Sequence, residues 1–319
     1  MSGGTAEGTS LSGLTAVVTG AGRGLGRAEA LELARLGANV VVNDFGSTAR
    51  DGTAAGGPGP AEETAAAIRA AGGSAVAHAG DVADSASAGE LVTLAVETYG
   101  QLDILVNNAG ILRDRMIFSM SDEEWDSVLR VHLRGHFATS RAAAIHWRER
   151  SKAAGGPIHA RIVNTSSESF IGGSPGQPNY AAAKGGIVAL TTSCAAALAK
   201  YGVRANAIAP RARTRMTDDI FGERPSENAG MDPLAPEHVA PLVGYLASPA
   251  SDGVNGQLLV VHGGMVAVIG APQVVAKFDS AKEAFTPSEL DETLSPWFAD
   301  HPAGYANTGI LALRRGEAG

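Results

Sequence analysis

A tyrosine and a lysine lie one helical turn apart in NYAAAKGGIVAL (179–190), a stretch rich in small and aliphatic residues. Residues at positions i and i+4 share one face of a helix, so the phenol of Tyr180 and the ammonium of Lys184 should be neighbours. A nearby cation favours the phenolate, and lowering the usual tyrosine pKa of about 10 by about 2–3 units needs roughly 3–4 kcal/mol. The pair therefore predicts a proton-transfer site.

A serine thirteen residues before the tyrosine extends this site. Ser167 ends a predicted strand, ARIVNTSS (160–167), that should enter the same cleft. Its hydroxyl would orient a carbonyl or carbinol oxygen beside Tyr180. A phenol that exchanges a proton beside a hydride carrier is what alcohol–ketone interconversion requires. The lowering of the Tyr180 pKa is expected from Lys184 together with the cationic nicotinamide ring of such a carrier.

A glycine-rich turn, TGAGRGLG (19–26), follows the first apolar run of the chain. The fingerprint G-x-G-x-x-G fails in either register, and the spacing is instead T-G-x-x-x-G-x-G. Glycines let the backbone approach a pyrophosphate, and the helix that begins near Gly24 offers free N–H groups. The predicted dinucleotide contacts in this turn are Gly20, Gly22, Arg23, Gly24, Leu25 and Gly26.

An aspartate at the end of the second predicted strand favours NAD over NADP. Asp44 follows Gly20 by 24 residues, where a carboxylate accepts hydrogen bonds from an adenosine ribose diol. It would repel a 2′-phosphate, and no arginine or lysine follows before Arg50. The alternative is an aspartate that only forms a turn.

Two further strand ends are expected to contact the cofactor. Asp81 would hold the adenine amino group with Val82 against the ring, although GDVAD also suits a simple strand-to-helix turn. In NNAG (107–110), the two asparagines should tie backbone across neighbouring strands. The predicted cofactor contacts in this motif are Asn108, Ala109 and Gly110.

Strand-like and helical patterns alternate along most of the chain. This alternation predicts α/β architecture, a doubly wound, seven-stranded parallel sheet with helices on both faces. One domain is expected over 12–270, and the C-terminal extension over 271–319 breaks the rhythm. The predicted strands cover 14–20, 39–44, 74–81, 102–110, 160–167, 203–210 and 256–264. The predicted helices cover 26–38, 61–73, 88–100, 121–150 and 236–248, besides the Tyr180 helix.

Composition narrows the class of protein. A net charge of −8 gives no support for nucleic acid as a partner. The single cysteine, Cys194, excludes an intrachain disulfide framework and is compatible with a reducing cytosol. No stretch approaches the roughly 18 apolar residues of a membrane span, and the first residues lack a signal-peptide pattern. We expect a cytoplasmic protein without membrane or nucleic-acid partners.

These motifs resemble the short-chain dehydrogenase/reductase family. TGAGRGLG, NNAG, Ser167 and YAAAK occur in the family's order over about residues 12–265. The resemblance implies a Rossmann-type domain, an NAD(P) cofactor and a homodimer or homotetramer, with the last helices commonly at the interface. It also implies Tyr180 as acid/base, Lys184 as the group that lowers its pKa and holds the nicotinamide ribose, and Ser167 as the group that positions the substrate oxygen.

The chain departs from the family pattern at two places. In VHLRG, His132 occupies the position of an asparagine that holds a water in a proton relay to the lysine. The histidine either joins the catalytic residues or packs as a helical side chain. In APRART (209–214), the family commonly has Pro-Gly, and Thr214 would contact the nicotinamide amide.

Longer stretches resemble the dehydrogenase part of the peroxisomal multifunctional enzymes of β-oxidation, namely 111–143, 206–217 and 235–248. The resemblance implies NAD-dependent oxidation of a 3-hydroxyacyl-CoA, and some members act on 17β-hydroxysteroids. Five arginines at predicted strand ends either contact CoA phosphates or form a solvated rim. These are Arg113, Arg115, Arg211, Arg213 and Arg215.

Two other functions remain open at this point. The first is an NADPH-dependent 3-oxoacyl reductase, against which Asp44 argues. The second is a non-catalytic NAD-binding protein, against which the intact set of Ser167, Tyr180 and Lys184 argues. The sequence also leaves open whether the C-terminal extension covers a neighbouring subunit or the substrate mouth.

Overall fold

The computed structural model describes residues 7–46, 59–213, 232–301, 304–306 and 309–313. Its strands are β1 (Thr15–Thr19), β2 (Asn39–Asn43), β3 (Ser74–His78), β4 (Ile104–Asn107), β5 (Ala160–Thr165), β6 (Val203–Pro210), β7 (Leu258–His262) and β8 (Met265–Ile269). Its helices are α1 (Gly24–Arg35), α2 (Gly59–Ala70), α3 (Ser85–Tyr99), α4 (Asp122–Leu129), α5 (Gly135–Ala154), α6 (Ser169–Gly172), α7 (Pro178–Leu198), α8 (Ala240–Ala247), α9 (Pro287–Asp300) and α10 (Gly309–Ala312).

The strands form one sheet in the order β3-β2-β1-β4-β5-β6-β7-β8. Strands β1 to β7 pair in parallel, and β8 pairs antiparallel with β7. The chain winds outward from β1 to β3 on one side and from β4 onward on the other. The doubly wound α/β fold is therefore confirmed, and the strand count is corrected from seven to eight.

The eighth strand forms a hairpin with β7. His262 pairs with Met265 across a loop of two glycines, and Gly263 has a φ of +53°. Two glycines between apolar runs are a hairpin signal that the sequence does contain. Met265 and Ala267 pack on the core while Val266 and Val268 are exposed, so β8 alternates as an edge strand does.

Alternate residues of the central strands feed two apolar layers. Val18 of β1 packs with Leu33 of α1 and Leu246 of α8. Its neighbour Val17 packs in the other layer with Trp147 of α5. Successive side chains of a strand point to opposite faces, so a strand buried on both sides is apolar throughout. The burial of both layers holds the carboxyl ends of the strands in one rigid edge.

The expected long helix over 121–150 is interrupted. Its predicted start is confirmed, because Ser121 and Glu124 form a reciprocal capping box at α4. Between α4 and α5, Arg130–Arg134 forms one π-helical turn that contains His132. Such turns rotate the side chains that follow and are frequent at functional sites. A π-helical turn holds one residue more than an α-helical turn, and the helical periodicity of the sequence did not reveal this extra residue.

One helical stretch of the described chain, Pro178–Tyr201, is long and apolar enough to cross a membrane, with a mean hydropathy of 1.4. The expectation that no stretch approaches a membrane span is therefore wrong by length and composition. Packed core helices have the same properties, and α7 within this stretch buries Ala183, Lys184 and Ile187 in the domain. Only 28% of the apolar window is buried in the domain, so this packing accounts for part of its apolar character.

Candidate active site

The glycine turn lies where the chain switches direction, between β1 and β4. Gly20 has a φ of +62°, and a Cβ there would lie 2.7 Å from the Cα of Ala109. Asn108 Nδ2 donates to the carbonyl oxygens of Thr19 and Gly20, both at 3.2 Å, and the Asn108 N–H donates to Thr19 Oγ1 at 3.0 Å. The asparagine therefore ties the turn to the end of β4, as expected from the motif.

The backbone of the glycine turn forms a cradle in which a side chain at Gly22 or Gly26 would clash with neighbouring residues. A Cβ on Gly22 would lie 2.5 Å from Pro60 Cβ, and one on Gly26 would lie 2.5 Å from Asn108 Nδ2. Arg23 at the N-cap of α1 makes no side-chain cap hydrogen bond within the described chain. Uncapped N–H groups at the start of a helix are suited to phosphate. The residues present therefore fit a dinucleotide pyrophosphate.

Asp44 lies directly beside this cradle. Its Oδ2 accepts a hydrogen bond from the Gly22 N–H at 3.0 Å, and its Oδ1 accepts one from the Gly46 N–H at 2.9 Å. The half-buried carboxylate is thus held by backbone donors at the end of β2. This places a fixed negative charge next to the turn, where the sequence predicted one.

Asp81 has a partner that the sequence did not indicate. Arg130 Nη2 lies 2.6 Å from Asp81 Oδ2, while Asp81 Oδ1 accepts from the Ala83 N–H at 2.9 Å. Val82 is buried, and a Cβ on Gly135 would lie 2.8 Å from its Cγ2. The loop after β3 is therefore fastened to the π-helical turn and to α5.

The three predicted catalytic side chains meet at the ends of β5 and α7. The hydroxyls of Tyr180 and Ser167 are hydrogen-bonded, and Lys184 Nζ lies 5.3 Å from the centroid of the Tyr180 ring. Lys184 Nζ donates to the Thr165 carbonyl at 2.6 Å, and Ser166 Oγ donates to the Lys184 carbonyl at 2.9 Å. These two bonds fix α7 against the strand that ends before Ser167.

The protonation equilibria of the site differ from the expectation. Burial raises the pKa of Tyr180 to about 12, the hydrogen bond with Ser167 acts against this, and the Asp114 carboxylate adds to it. Burial also lowers the pKa of Lys184 to about 7, against the attraction of Glu29. Lys184 alone does not lower the tyrosine pKa in this geometry, because the amine is itself desolvated and donates to Thr165. The contribution expected from a cationic nicotinamide ring stays a prediction.

His132 packs between the NNAG turn and the catalytic tyrosine. Its Nε2 lies 3.1 Å from the Ile111 nitrogen and 2.8 Å from the Ile111 oxygen, and its ring meets the Tyr180 ring edge-on at 5.2 Å. A Cβ on Gly110 would lie 2.2 Å from His132 Cε1. Burial and the nearby Lys184 hold the His132 pKa well below its usual range, so the imidazole is neutral.

Asn179 is a site residue that the sequence reasoning missed. The side chain is fully buried, and its Nδ2 donates to the carbonyls of Arg113 and Glu124, both at 3.0 Å. Its Oδ1 accepts from the Tyr180 N–H at 2.7 Å. It anchors the first turn of α7 to α4 and to the segment before α4. Its position directly before the tyrosine was the available signal.

Glu29 is the second missed residue. It is fully buried in α1, and neither carboxylate oxygen has a hydrogen-bond partner within the described chain. Burial raises the pKa of Glu29 to about 8, and attraction to Lys184 acts against this. The signal was periodicity, because Glu29 lies four residues from both Leu25 and Leu33 on the apolar face of the helix.

Glu29→Gln is expected to stabilise the protein in a pH-dependent way. The unfolded carboxyl loses its proton above pH 4.5, whereas the folded one keeps it until about pH 8. Wild-type stability therefore falls as pH rises between these values, and glutamine removes that loss. The gain in the free energy of unfolding should grow from near zero at pH 4.5 to about 2–4 kcal/mol at pH 8.

Urea unfolding at pH 5, 6.5 and 8 measures this gain. Glu32→Gln is the matched control on the same helix, because Glu32 pairs with the exposed Arg35. An equal gain for Glu29→Gln at all three pH values would contradict the argument.

The five arginines do not form one rim. Arg211 and Arg213 are buried and paired with Glu168 and Asp232, so they do not belong to a solvated rim and their guanidinium groups are already engaged by carboxylates. Arg113 and Arg115 line a groove of about 540 Å³. Arg115 Nε lies 3.1 Å from Glu124 Oε1. Thr214 and Arg215 lie outside the described residues.

The comparisons with known proteins agree with this geometry. Residues 20–266 match a family model described as enoyl-(acyl carrier protein) reductase. The chain is 54% identical over 311 residues to hydroxyacyl-CoA dehydrogenase ChsB1 of Mycobacterium tuberculosis, covering 96% of each protein. It is 44% identical over 255 residues to peroxisomal multifunctional enzyme type 2 of Mus musculus, covering 80% of this chain and 32% of that protein. The crystal structure of a short chain dehydrogenase from Mycobacterium avium superimposes with a TM-score of 0.79 at 45% identity, covering 91% of this chain and 95% of that chain.

Proposed function

The chain belongs to the short-chain dehydrogenase/reductase family and is an oxidoreductase, and from this premise we propose that it oxidises a 3-hydroxyacyl-CoA with NAD. The observation that carries the proposal is the meeting of Ser167, Tyr180 and Lys184 at the strand ends that also bear the dinucleotide cradle. The name of the 54% identical relative, a hydroxyacyl-CoA dehydrogenase, supports the substrate class.

Ser167, Tyr180 and Lys184 have different roles in the proton transfer. Ser167 holds the substrate oxygen, and Tyr180 removes the proton of the substrate hydroxyl. A phenol with a pKa of about 12 keeps its own proton at neutral pH, so its action as a base requires additional positive charge. When bound, an oxidised nicotinamide dinucleotide would supply that charge and the hydride acceptor. Lys184 would hold its ribose through Nζ.

The cofactor is assigned as NAD on the position of Asp44. Its carboxylate is held by two backbone N–H groups beside the glycine turn, where it would accept hydrogen bonds from a ribose diol. A 2′-phosphate at the same place would meet repulsion. The turn from Gly20 to Gly26 would hold the pyrophosphate, and residues at the ends of β3 and β4 would contact the adenosine and the nicotinamide.

The groove beside Arg113 and Arg115 supports a CoA ester over a free steroid. The segment before α4 reaches the active site, because the Arg115 N–H donates to the Gly176 carbonyl at 2.9 Å and Gln177 Nε2 donates to Asp114 Oδ2 at 3.1 Å. Arginine suits the phosphates that a CoA ester carries and a 17β-hydroxysteroid lacks. Glu123 and Glu124 line the same groove, so a phosphate there must compete with Glu124 for Arg115.

The 3-oxoacyl reductase remains the second candidate, because the description of the matched family model names an acyl carrier protein. An NADPH-dependent reductase of this kind would need a pocket that accepts a 2′-phosphate, and Asp44 opposes this. A non-catalytic NAD-binding protein would have no use for the hydrogen-bonded Ser167–Tyr180 pair.

Absorbance at the reduced nicotinamide band tests the proposal. The purified protein is mixed with NAD or NADP and a straight-chain 3-hydroxyacyl-CoA, a steroid-side-chain acyl-CoA or a free 17β-hydroxysteroid. Turnover of a CoA ester with NAD is the expected result. Turnover of the free steroid alone would contradict the CoA ester and indicate a role in steroid metabolism. NAD binding without turnover of any substrate would favour a non-catalytic protein.

His132 is proposed as a positioning residue for Tyr180. His132→Asn should retain kcat within about tenfold, because an amide can still bond to the Ile111 backbone. His132→Leu, which keeps the bulk and loses the hydrogen bond of Nε2 to the Ile111 backbone, should lower kcat by about 10–100-fold with little change in the KM for NAD. His146→Leu on α5 is the matched control. Equal activity of the Leu and Asn variants at position 132 would contradict this role.

A homodimer or homotetramer is proposed on the outer face of α4, α5 and α7. A groove of about 1030 Å³ there is lined by Leu129, Leu133, Phe137 and Leu190, among others, and Phe137 is 42% exposed. Apolar surface of this kind is typical of subunit interfaces. Light scattering of the purified protein measures the assembly directly, and a monomer at micromolar concentration would contradict the proposal.

A further inference from the structure

We propose that Arg211 couples the C-terminal turn, residues 309–313, to the loop that carries Ser167, so that this turn forms a wall of the substrate site and favours bulky acyl groups. The part of this inference that concerns the substrate rests on the proposed function. The coupling of Arg211 to the turn rests on the geometry alone. It assigns a task to Arg211 at the position where the family commonly has glycine.

The guanidinium of Arg211 joins three separate parts of the chain. Its Nε and Nη2 donate to the two oxygens of Glu168 at 2.6 and 2.7 Å. Its Nη1 donates to the Leu313 carbonyl at 2.6 Å, and its Nη2 also donates to the Ile310 carbonyl at 2.5 Å. One side chain at the end of β6 thus holds both the residue after Ser167 and the C-terminal turn.

The burial of both charged groups explains why this contact requires an arginine. Arg211 and Glu168 are each 8% exposed, so both ions have lost most of their water. A buried carboxylate needs a bidentate partner of fixed geometry, and the planar guanidinium provides it while its remaining N–H groups reach two carbonyls. Lysine carries the charge but cannot make four directed bonds to Glu168 and the C-terminal turn together.

Apolar contacts place the same turn on α6. Ile310 packs against an apolar cluster that includes Phe170 and Ile171 of α6 together with residues of β6, β7 and β8. A Cβ built on Gly173 would lie 3.7 Å from the Ala306 Cβ, so the chain before the turn follows the end of α6. The turn is therefore docked by hydrogen bonds at Arg211 and by packing at Ile310.

The docked turn is connected to the catalytic serine through the start of α6. Ser167 Oγ accepts from the Ser169 N–H at 3.2 Å, and the Glu168 carbonyl accepts from the Ile171 and Gly172 N–H groups at 3.0 and 2.9 Å. A substrate whose reacting oxygen lies at Ser167 must extend its acyl chain past the neighbouring walls. Helix α6 and the turn that covers it form one of those walls.

The experiment compares three full-length variants. Arg211→Lys removes the bidentate geometry, and Ile310→Ala weakens the docking while leaving the backbone carbonyl in place. Arg204→Lys is the matched control, because Arg204 lies near the other end of β6 and pairs with Asp252. Each protein is assayed with NAD and two 3-hydroxyacyl-CoA esters, one with a short acyl chain and one with a steroid side chain.

Both test variants should raise the KM for the bulky ester about fivefold to tenfold, while the short ester keeps its KM and kcat within about twofold. Hydrogen exchange supplies a readout without substrate, in which the amides of 309–313 and of α6 should lose protection in both variants. Arg204→Lys should change neither quantity.

The outcomes distinguish a failure of the inference on Arg211 from a failure of the proposed function. Unchanged exchange in Arg211→Lys would overturn the coupling, and lost protection with an equal effect on both esters would overturn the substrate wall. If the wild-type protein turned over neither ester, the proposed function would fail, and the exchange data would still decide whether Arg211 holds the turn.

Discussion

Replacing Tyr180 with phenylalanine is expected to lower kcat for alcohol oxidation by about 10³, within the range of general acid–base catalysis. The substitution removes the hydroxyl that exchanges the proton and leaves the ring in place. Its edge-on contact with His132 and the nearby Lys184 should therefore persist. NAD affinity, measured by fluorescence titration, should stay within about twofold, so that the loss falls on the chemical step.

Tyr201→Phe is the matched control for this substitution. Tyr201 lies in the helical turn directly after α7, at the end opposite to the catalytic tyrosine. The control should retain full activity. Wild-type activity within a few-fold in Tyr180→Phe would remove the catalytic assignment and favour a protein that only binds the dinucleotide.

The pH dependence of the wild-type enzyme follows from the same phenol. Burial raises the pKa of Tyr180 to about 12, so the deprotonated form that acts as the base becomes more abundant as pH rises. Oxidation should therefore accelerate from pH 7 toward pH 10, whereas reduction, which uses the protonated phenol, should not.

Replacing Asp44 with asparagine is expected to reverse much of the preference for NAD. The ratio of kcat/KM with NAD to kcat/KM with NADP should fall about 100-fold, equivalent to about 2.7 kcal/mol. Two effects add: hydrogen bonds from a ribose diol to a charged acceptor are lost, and repulsion of a 2′-phosphate is removed. Initial rates with both cofactors at a fixed substrate concentration measure the ratio.

Loosening of the glycine turn is the main competing explanation, because Asp44 also accepts hydrogen bonds from Gly22 and Gly46. Asp84→Asn controls for this loss, since Asp84 likewise accepts from two backbone N–H groups, those of Ala86 and Ser87. The control should leave the cofactor ratio unchanged. If the activity of Asp44→Asn dropped equally with both cofactors, the carboxylate would stabilise the glycine turn and would not select the cofactor.

The sequence by itself determined the fold class and the identity of the central side chains. Strand periodicity and the glycine turn are local properties, and the spacing of Tyr180 and Lys184 is set by one helical turn. The capping box at Ser121 and the tie from Asn108 to the glycine turn were predictable for the same reason, because each depends on short-range geometry or on one motif.

Only the tertiary structure decided which charges are desolvated and what each arginine contacts. The pKa values of Tyr180 and Lys184 depend on burial by segments far away in the chain, and Lys184 alone does not produce the lowering that its spacing from Tyr180 suggests. The sequence left Arg211 open between a phosphate contact and a solvated rim, and only the structure shows its partners at Glu168 and Ile310. Long-range packing sets the dielectric environment and the choice of partner, and neither is encoded in local spacing.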